Sequence, residues 1–204
     1  MTRLLVQQIT DLPSLPEEAL FDRLRGAARL GLSEGACLSV QLRDPGLPVR
    51  ELVRMGSALR ALTREMGATL VVNDRVDLAL LVEADGVHLG RRSMSVADAR
   101  SLLGAGAWIS TSAHAVEDVI AAARAGANAA LLSPIFSSPG KGAPLGTAAL
   151  RRAREALARE GLALHLLALG GVTLENVAAC LAAGADGVAA IRADLTPLLR
   201  PGHA

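Results

Sequence analysis

Aromatic side chains are nearly missing: Phe21, Trp108 and Phe136 are the whole set in 204 residues, and tyrosine is absent. Single-stranded nucleic acid is gripped by stacking on such rings, so that class of partner is excluded. The core must then be packed from aliphatic chains. An excess of one charge is lacking too, since 21 Lys plus Arg face 20 Asp plus Glu for a net +1. That leaves too small a field to draw in nucleic acid or an anionic membrane. No apolar run approaches the ~18 residues of a membrane span, and the opening Met1-Thr2-Arg3-Leu4-Leu5-Val6-Gln7-Gln8 turns polar too soon for a signal peptide. A cytoplasmic protein is the expectation. Cysteine is limited to Cys37 and Cys180, far apart and in apolar surroundings, which reads as two buried thiols rather than a disulfide or a zinc site. Lysine is the scarcest charge: Lys141 stands alone beside 20 arginines.

What is present is an alternation of short aliphatic runs with longer stretches of helical period. The strand candidates are 5–9, 36–42, 69–72, 86–89, 107–111, 128–133, 164–169 and 186–191. Most are continuously apolar, as buried parallel strands are. Helices are predicted over 16–30, 47–66, 76–84, 96–103, 115–125 and 147–159, with another opened by Thr173 and Asn176 and ending at Gly184, and a last one after Ala193. Gly31, Gly67 and Gly126 supply stop signals. Eight βα units at roughly 25 residues each predict one compact (β/α)8 TIM barrel spanning 1–204, with a doubly wound α/β sheet as the alternative.

In a barrel the site lies at the carboxyl ends of the strands. Those ends read Gln41-Leu42-Arg43-Asp44-Pro45, Asn73-Asp74-Arg75, His88-Leu89-Gly90-Arg91-Arg92-Ser93, Ser112-Ala113-His114, a long loop from Ser133 to Gly142 carrying Lys141, then Gly170-Gly171 and Ile191-Arg192. The Gly170-Gly171-Val172-Thr173 turn leaves backbone N–H groups to face an anion beside a helix start, although tight turns also use glycine for steric reasons alone. Lys141, among Ser, Pro and Gly, can reach a phosphate or stay a solvated loop charge. Asp74 is placed either to bind Mg2+ or to cap the helix near Val76. His88 and His114 are candidates for acid–base work or for bonding a neighbouring loop. His165 and His203 read as structural or surface residues, and Cys180 as packing.

Taken in order, these residues resemble the thiamine phosphate synthase and thiazole tautomerase superfamily. The most specific segment is Val72-Asn73-Asp74-Arg75-Val76-Asp77-Leu78-Ala79-Leu80 followed by Ala84-Asp85-Gly86-Val87-His88-Leu89-Gly90; Ser133-Pro134-Ile135-Phe136, Leu169-Gly170-Gly171-Val172 and Ala183-Gly184-Ala185-Asp186-Gly187-Val188 support it. The resemblance implies a Mg2+-dependent barrel that joins hydroxymethylpyrimidine diphosphate to a thiazole phosphate and releases pyrophosphate. Carried over, it implies that Gln41, Arg43 and Asn73 hold the pyrimidine diphosphate, Asp74 binds Mg2+, and Ser112 and Lys141 contact the departing pyrophosphate. Ser138, Gly140, Gly170, Gly171 and the backbone of Ile191 and Arg192 then take the thiazole phosphate. The implied catalytic set is Lys141, Ser112 and Arg43. Partners are small phosphates and diphosphates, with no nucleic acid and no membrane, and assembly into a homo-oligomer is left open.

Four positions depart from the synthase pattern: Pro45 stands for Lys, Ser93 for a second Mg2+-binding Asp, Arg91 for Gln, and Arg192 for a small hydroxyl residue. They read as compensation, with Arg91 or Arg92 neutralising the diphosphate, or as decay of that subsite. A thiazole-modifying isomerase and a non-catalytic binder of thiazole phosphate or thiamine phosphate therefore stay open, although the isomerase branch carries a His where Pro134 stands.

Overall fold

The computed structural model describes residues 3–29 and 33–200. Eight parallel strands close into a barrel in sequence order: β1 (Leu4–Ile9), β2 (Ala36–Leu42), β3 (Thr69–Asn73), β4 (Gly86–Leu89), β5 (Trp108–Ala113), β6 (Ala129–Leu132), β7 (His165–Ala168) and β8 (Gly187–Ala190). Between them run α1 (Glu17–Arg29), α2 (Val49–Met66), α3 (Val76–Leu81), α4 (Val96–Leu103), α5 (Val116–Arg124), α6 (Thr147–Arg159) and α7 (Val177–Ala182), and a 3-10 turn (Thr196–Leu199) follows β8. The expected barrel is therefore the observed one, and β1 pairing with β8 rules out the open sheet.

Element ends differ where local chemistry overrides periodicity. α2 starts at Val49, two residues later than predicted, because Pro48 is the N-cap, with an extended backbone at φ −59 and ψ 148. A proline also pushes the residue before it out of the helical region, which keeps Leu47 outside the helix. The segment opened by Thr173 is a turn, and α7 begins only after the Asn176 N-cap. Leu30 and Gly31 lie outside the described residues, as does His203. Of the two thiols, Cys180 is buried and pushed up to about 11 by its apolar surroundings. Cys37 corrects the expectation, being only half-buried, with Arg3 3.9 Å from its sulfur.

Strand side chains alternate between two apolar regions. The larger, between strands and helices, holds Val6, Leu38, Val40, Leu70, Val72, Val87 and Ile109 with the inner faces of the helices. The smaller, inside the barrel, holds Ile9, Ala129, Leu131, Leu167 and Ala189. The register Ile9↔Gln41, Gln41↔Val71, Asn73↔His88 and His88↔Ser110 puts Gln41, Asn73, His88 and Ser110 on that inner face as well. The barrel interior is thus divided. Toward the mouth its β2 to β5 side carries Gln41, Asn73, His88 and Ser112, and its β6 to β1 side carries Leu131, Ala189 and Ile9. Deeper in, Gln7 of β1 and Val71 of β3 cross that division.

A repeated brace holds the opposite, amino-terminal end. Asp85 accepts from the Leu70 N–H at 2.7 Å and from Arg60 of α2 at 2.6 Å. Asn128 accepts from the Ile109 N–H and from Arg100 of α4, each at 2.8 Å. Asp186 accepts from the Leu166 N–H at 2.8 Å and from Arg154 of α6. Each acid or amide directly precedes an even-numbered strand and ties it both to the preceding strand and to a helix. Trp108 and His165 stack inside this end with ring centroids 5.5 Å apart.

Candidate active site

A cavity of about 460 Å3 opens at the carboxyl ends of the strands, a volume suited to a small organic ligand. Of the residues expected at the site, it is lined by Gln41, Arg43, Asn73, Ser112, Ser138, Lys141, Gly170, Gly171, Ile191 and Arg192. His88, His114, Ser133 and Pro134 join them. Gly140 and Asp74 are the two expected residues outside the lining. Asp74 sits over the rim, in a cleft of about 230 Å3 that shares Arg43 and Asn73 with the cavity.

The polar wall is tightly specified. Asp44, 5% exposed, accepts from the Thr10 hydroxyl at 2.5 Å and the Leu12 N–H at 2.8 Å, and the Thr10 oxygen in turn accepts the Arg43 N–H at 2.8 Å. This clamp sets where Arg43 leaves the sheet. Gln41 beside it is 1% exposed, and its Nε2 has no hydrogen-bond partner among the described residues. A buried amide donor without an acceptor is costly, and this one lies at the cavity wall. At the end of β3, Asp74 adopts φ +67 while its N–H donates to the His88 carbonyl at 2.8 Å. Its carboxylate caps no helix among the described residues, because the N-cap of α3 is Arg75, which makes no side-chain capping bond. Arg75 is instead committed to Asp77 through a two-pronged pair at 2.7 and 2.5 Å, which holds that carboxyl down to about 2.

His88 is buried, and desolvation together with the Arg43 charge pushes it down to about 4, so the ring is neutral. Both ring nitrogens are occupied, Nδ1 by the Ser110 hydroxyl at 3.0 Å and Nε2 by the Ser112 hydroxyl at 2.9 Å. Its partners lie in the neighbouring strand β5 rather than in a loop as expected, and this geometry favours a structural role over proton transfer. His114 Nδ1 donates to the Ser133 carbonyl at 2.9 Å, tying β5 to the end of β6.

Opposite lies a cup of main chain. Gly170 and Gly171 have φ +92 and +65, and a Cβ on Gly171 would fall 2.5 Å from the Ser137 carbonyl oxygen, so the two turns touch through glycine alone. Asn176 fastens this turn, accepting from the Thr173 N–H and donating to the Gly171 carbonyl, each at 2.9 Å. Thr173 is thereby removed from the N–H groups expected to face an anion. Those of Gly171, Val172, Ile191 and Arg192 donate to no acceptor among the described residues. Gln8 positions the second half of the cup: its Nε2 reaches the Ile191 carbonyl at 2.9 Å and its Oε1 accepts from Arg23, which also bonds the Ala193 carbonyl at 3.4 Å. Gln8 and Arg23 escaped sequence reasoning. The available signal was a polar pair, Gln7-Gln8, inside the otherwise apolar β1.

Arg43, Lys141 and Arg192 line the cavity, and among the described residues no carboxylate does. Lys141 is exposed and pairs with no carboxylate among the described residues. The arrangement binds anions at two places, one a cationic wall and the other a main-chain cup.

A thiamine monophosphate synthase family model matches residues 9–193. This chain belongs to that family. It is 40% identical over 166 residues to the thiamine-phosphate synthase of Moorella thermoacetica, covering 80% of this chain and 77% of that one. To the thiamine-phosphate synthase of Methanoculleus marisnigri it is 43% identical over 169 residues, covering 81% and 77%. The solved thiamine phosphate pyrophosphorylase from Pyrococcus furiosus superposes with a TM-score of 0.78 at 32% identity, covering 93% of this chain and 86% of that one.

For this member of the thiamine monophosphate synthase family, the four departures fall at distinct places. Pro45 lines the cleft beside Asp74. The Ser93 oxygen accepts the Gly90 N–H at 2.7 Å, closing its own loop. Arg91 and Ser93 line a second cleft that meets the cavity at Ser112 and His114. Arg192 is exposed, with its Nε 3.4 Å from the Ser14 hydroxyl across the mouth.

Proposed function

We propose that this chain joins hydroxymethylpyrimidine diphosphate to a thiazole phosphate, forming thiamine phosphate and releasing pyrophosphate. The observation that carries the proposal is a cavity with three cationic side chains, no carboxylate among the described residues and a separate cup of unpaired main-chain N–H groups. Such a cavity suits one diphosphate and one monophosphate at once.

The thiazole phosphate takes the cup, where the N–H groups of Gly171, Val172, Ile191 and Arg192 donate to it. The pyrimidine lies against Gln41 and Asn73, with its diphosphate toward Arg43, Ser112 and Lys141. When the bond between the pyrimidine methylene carbon and the diphosphate oxygen breaks, the electron pair leaves with pyrophosphate and the carbon becomes cationic. The thiazole nitrogen then donates its lone pair to that carbon. No general base is needed for this bond exchange, which agrees with a His88 that is buried, neutral and bonded at both nitrogens. Catalysis is positioning plus stabilisation of charge growing on the leaving group, for which each well-placed donor supplies about 10²–10³ in rate.

Mg2+ fits this chain in one manner. Among the described residues no three His, Cys, Asp or Glu side chains gather into a metal cage. The exposed Asp74 carboxylate, free of hydrogen bonds among the described residues, is instead suited to a cation that arrives with the diphosphate, since Mg2+ is usually held by one or two carboxylates plus phosphate oxygens and water. Asp74 would hold it, and the ion would supply neutralisation of the leaving charge. The isomerase alternative is not favoured, because Pro134 lines the cavity where that branch carries its His.

The test is an assay of purified protein with both substrates and Mg2+, with thiamine phosphate read as its fluorescent oxidation product. Product that disappears on chelation and in Asp74→Ala is expected. No product, with thiazole phosphate still bound, would instead identify a non-catalytic binder.

A further inference from the structure

The hydrogen-bond pattern around His88 dictates which of its nitrogens carries the proton. Ser110 is 1% exposed, and among the described residues the Nδ1 atom of His88 is the only partner of its hydroxyl. If Nδ1 were protonated it would donate to the Ser110 oxygen. The Ser110 hydrogen would then be a buried donor with nothing to accept it, an arrangement native interiors avoid. Ser110 therefore donates, Nδ1 is bare, and the proton of the neutral ring sits on Nε2. From Nε2 it is donated to the Ser112 oxygen 2.9 Å away. With its oxygen occupied as an acceptor, Ser112 has its own hydrogen left for the cavity it lines.

We infer that His88 is a positioning residue, and that the chain Ser110 O–H to Nδ1, Nε2–H to Ser112 Oγ turns the Ser112 hydroxyl into an obligate donor aimed at the anion in the cavity. In the opposite tautomer Ser112 would donate to Nε2 and present only lone pairs to a diphosphate, repelling it. The register places all three residues on the inward face of adjacent strands, β4 and β5, so the rigid sheet holds the relay. The catalytic consequence rests on the assignment of Ser112 to the departing pyrophosphate, whereas the tautomer itself does not.

The test separates those two parts. Protein labelled with 15N on histidine, observed by imidazole correlation spectra at neutral pH, is expected to show His88 with a bare Nδ1 and a protonated Nε2. The signals are assigned by their loss in His88→Gln. A protonated Nδ1 overturns the proposal outright. In Ser110→Ala the preference is expected to vanish, with both tautomers visible and kcat reduced on the order of tenfold, the worth of one hydrogen bond. KM for both substrates should stay within about twofold. Ser110→Thr, which keeps the hydroxyl, should restore both the spectrum and kcat. A mixed tautomer with unchanged kcat would refute the catalytic half, and a wild-type protein without synthase activity but with the expected tautomer would refute the proposed function while leaving the relay standing.

Discussion

Gln41 gives a perturbation whose effects on stability and binding have opposite signs. Its Nε2 is buried with no acceptor among the described residues, and such a donor costs about 1–3 kcal/mol relative to a group that needs no partner. Met has a similar length and no polar hydrogen, and volume-conserving swaps are tolerated in cores. Gln41→Met should therefore stabilise the ligand-free protein by about 1–2 kcal/mol. For a chain of this size that raises Tm by about 2–8 °C. If the unpaired donor exists to meet the pyrimidine diphosphate, the same change should weaken that ligand about tenfold, the loss of one hydrogen bond to an anionic or polar acceptor. Thermal unfolding of the ligand-free protein and calorimetric titration with the diphosphate read the two effects separately. A variant that is less stable and binds equally well would show that the amide is satisfied within the barrel, and the reasoning that links its burial to a ligand would fail.

Lys141→Ala should lower kcat about 100-fold or more through loss of leaving-group stabilisation, with thiazole phosphate affinity by titration little changed; an unaltered rate removes Lys141 from the mechanism. Asp85→Ala deletes the acceptor of the Leu70 N–H and strands Arg60, whose Nε already lacks a partner among the described residues. It should cost about 3 kcal/mol, lowering Tm by about 6–12 °C in a thermal melt, while Asp85→Asn keeps the backbone bond and costs less. Stability should also fall on acidification. His88 is held at about 4 when folded by burial and by Arg43 and returns to about 6.5 when unfolded. Between those values the unfolded chain binds more protons, so stability is full above about pH 6.5 and on the order of 3 kcal/mol is lost as pH drops toward 4. Urea unfolding across that window should show a shallower slope in His88→Gln, and an unchanged slope would mean that His88 is already accessible to protons.

Much of the barrel was legible because its signals are local. Short apolar runs between helical stretches marked the strands, and their polar ends marked the mouth. The family motifs then singled out a cluster that the fold, Asp74 and Gly140 apart, brings to one cavity. Less legible were the pieces fixed by contacts between distant segments. Thr10 and Asp44, or Gln8 and Arg23, carry no motif, yet they place Arg43 and the main chain of Ile191. Arg75 lies in the most specific segment, at the polar end of β3, and is held by Asp77 two residues on.

The sequence by itself determined the class of fold and the face on which to look, since hydrophobic period and turn residues depend on near neighbours along the chain. It also limited the ligand, because scarce aromatics and balanced charge leave few partners. Closure of the barrel, the separation of Asp74 from the main cavity, the unpaired Gln41 amide and the direction of the Ser110, His88 and Ser112 hydrogen bonds were decided only by tertiary structure. Each depends on which strand lies beside which, and on whether water can reach a polar atom. Composition holds neither quantity.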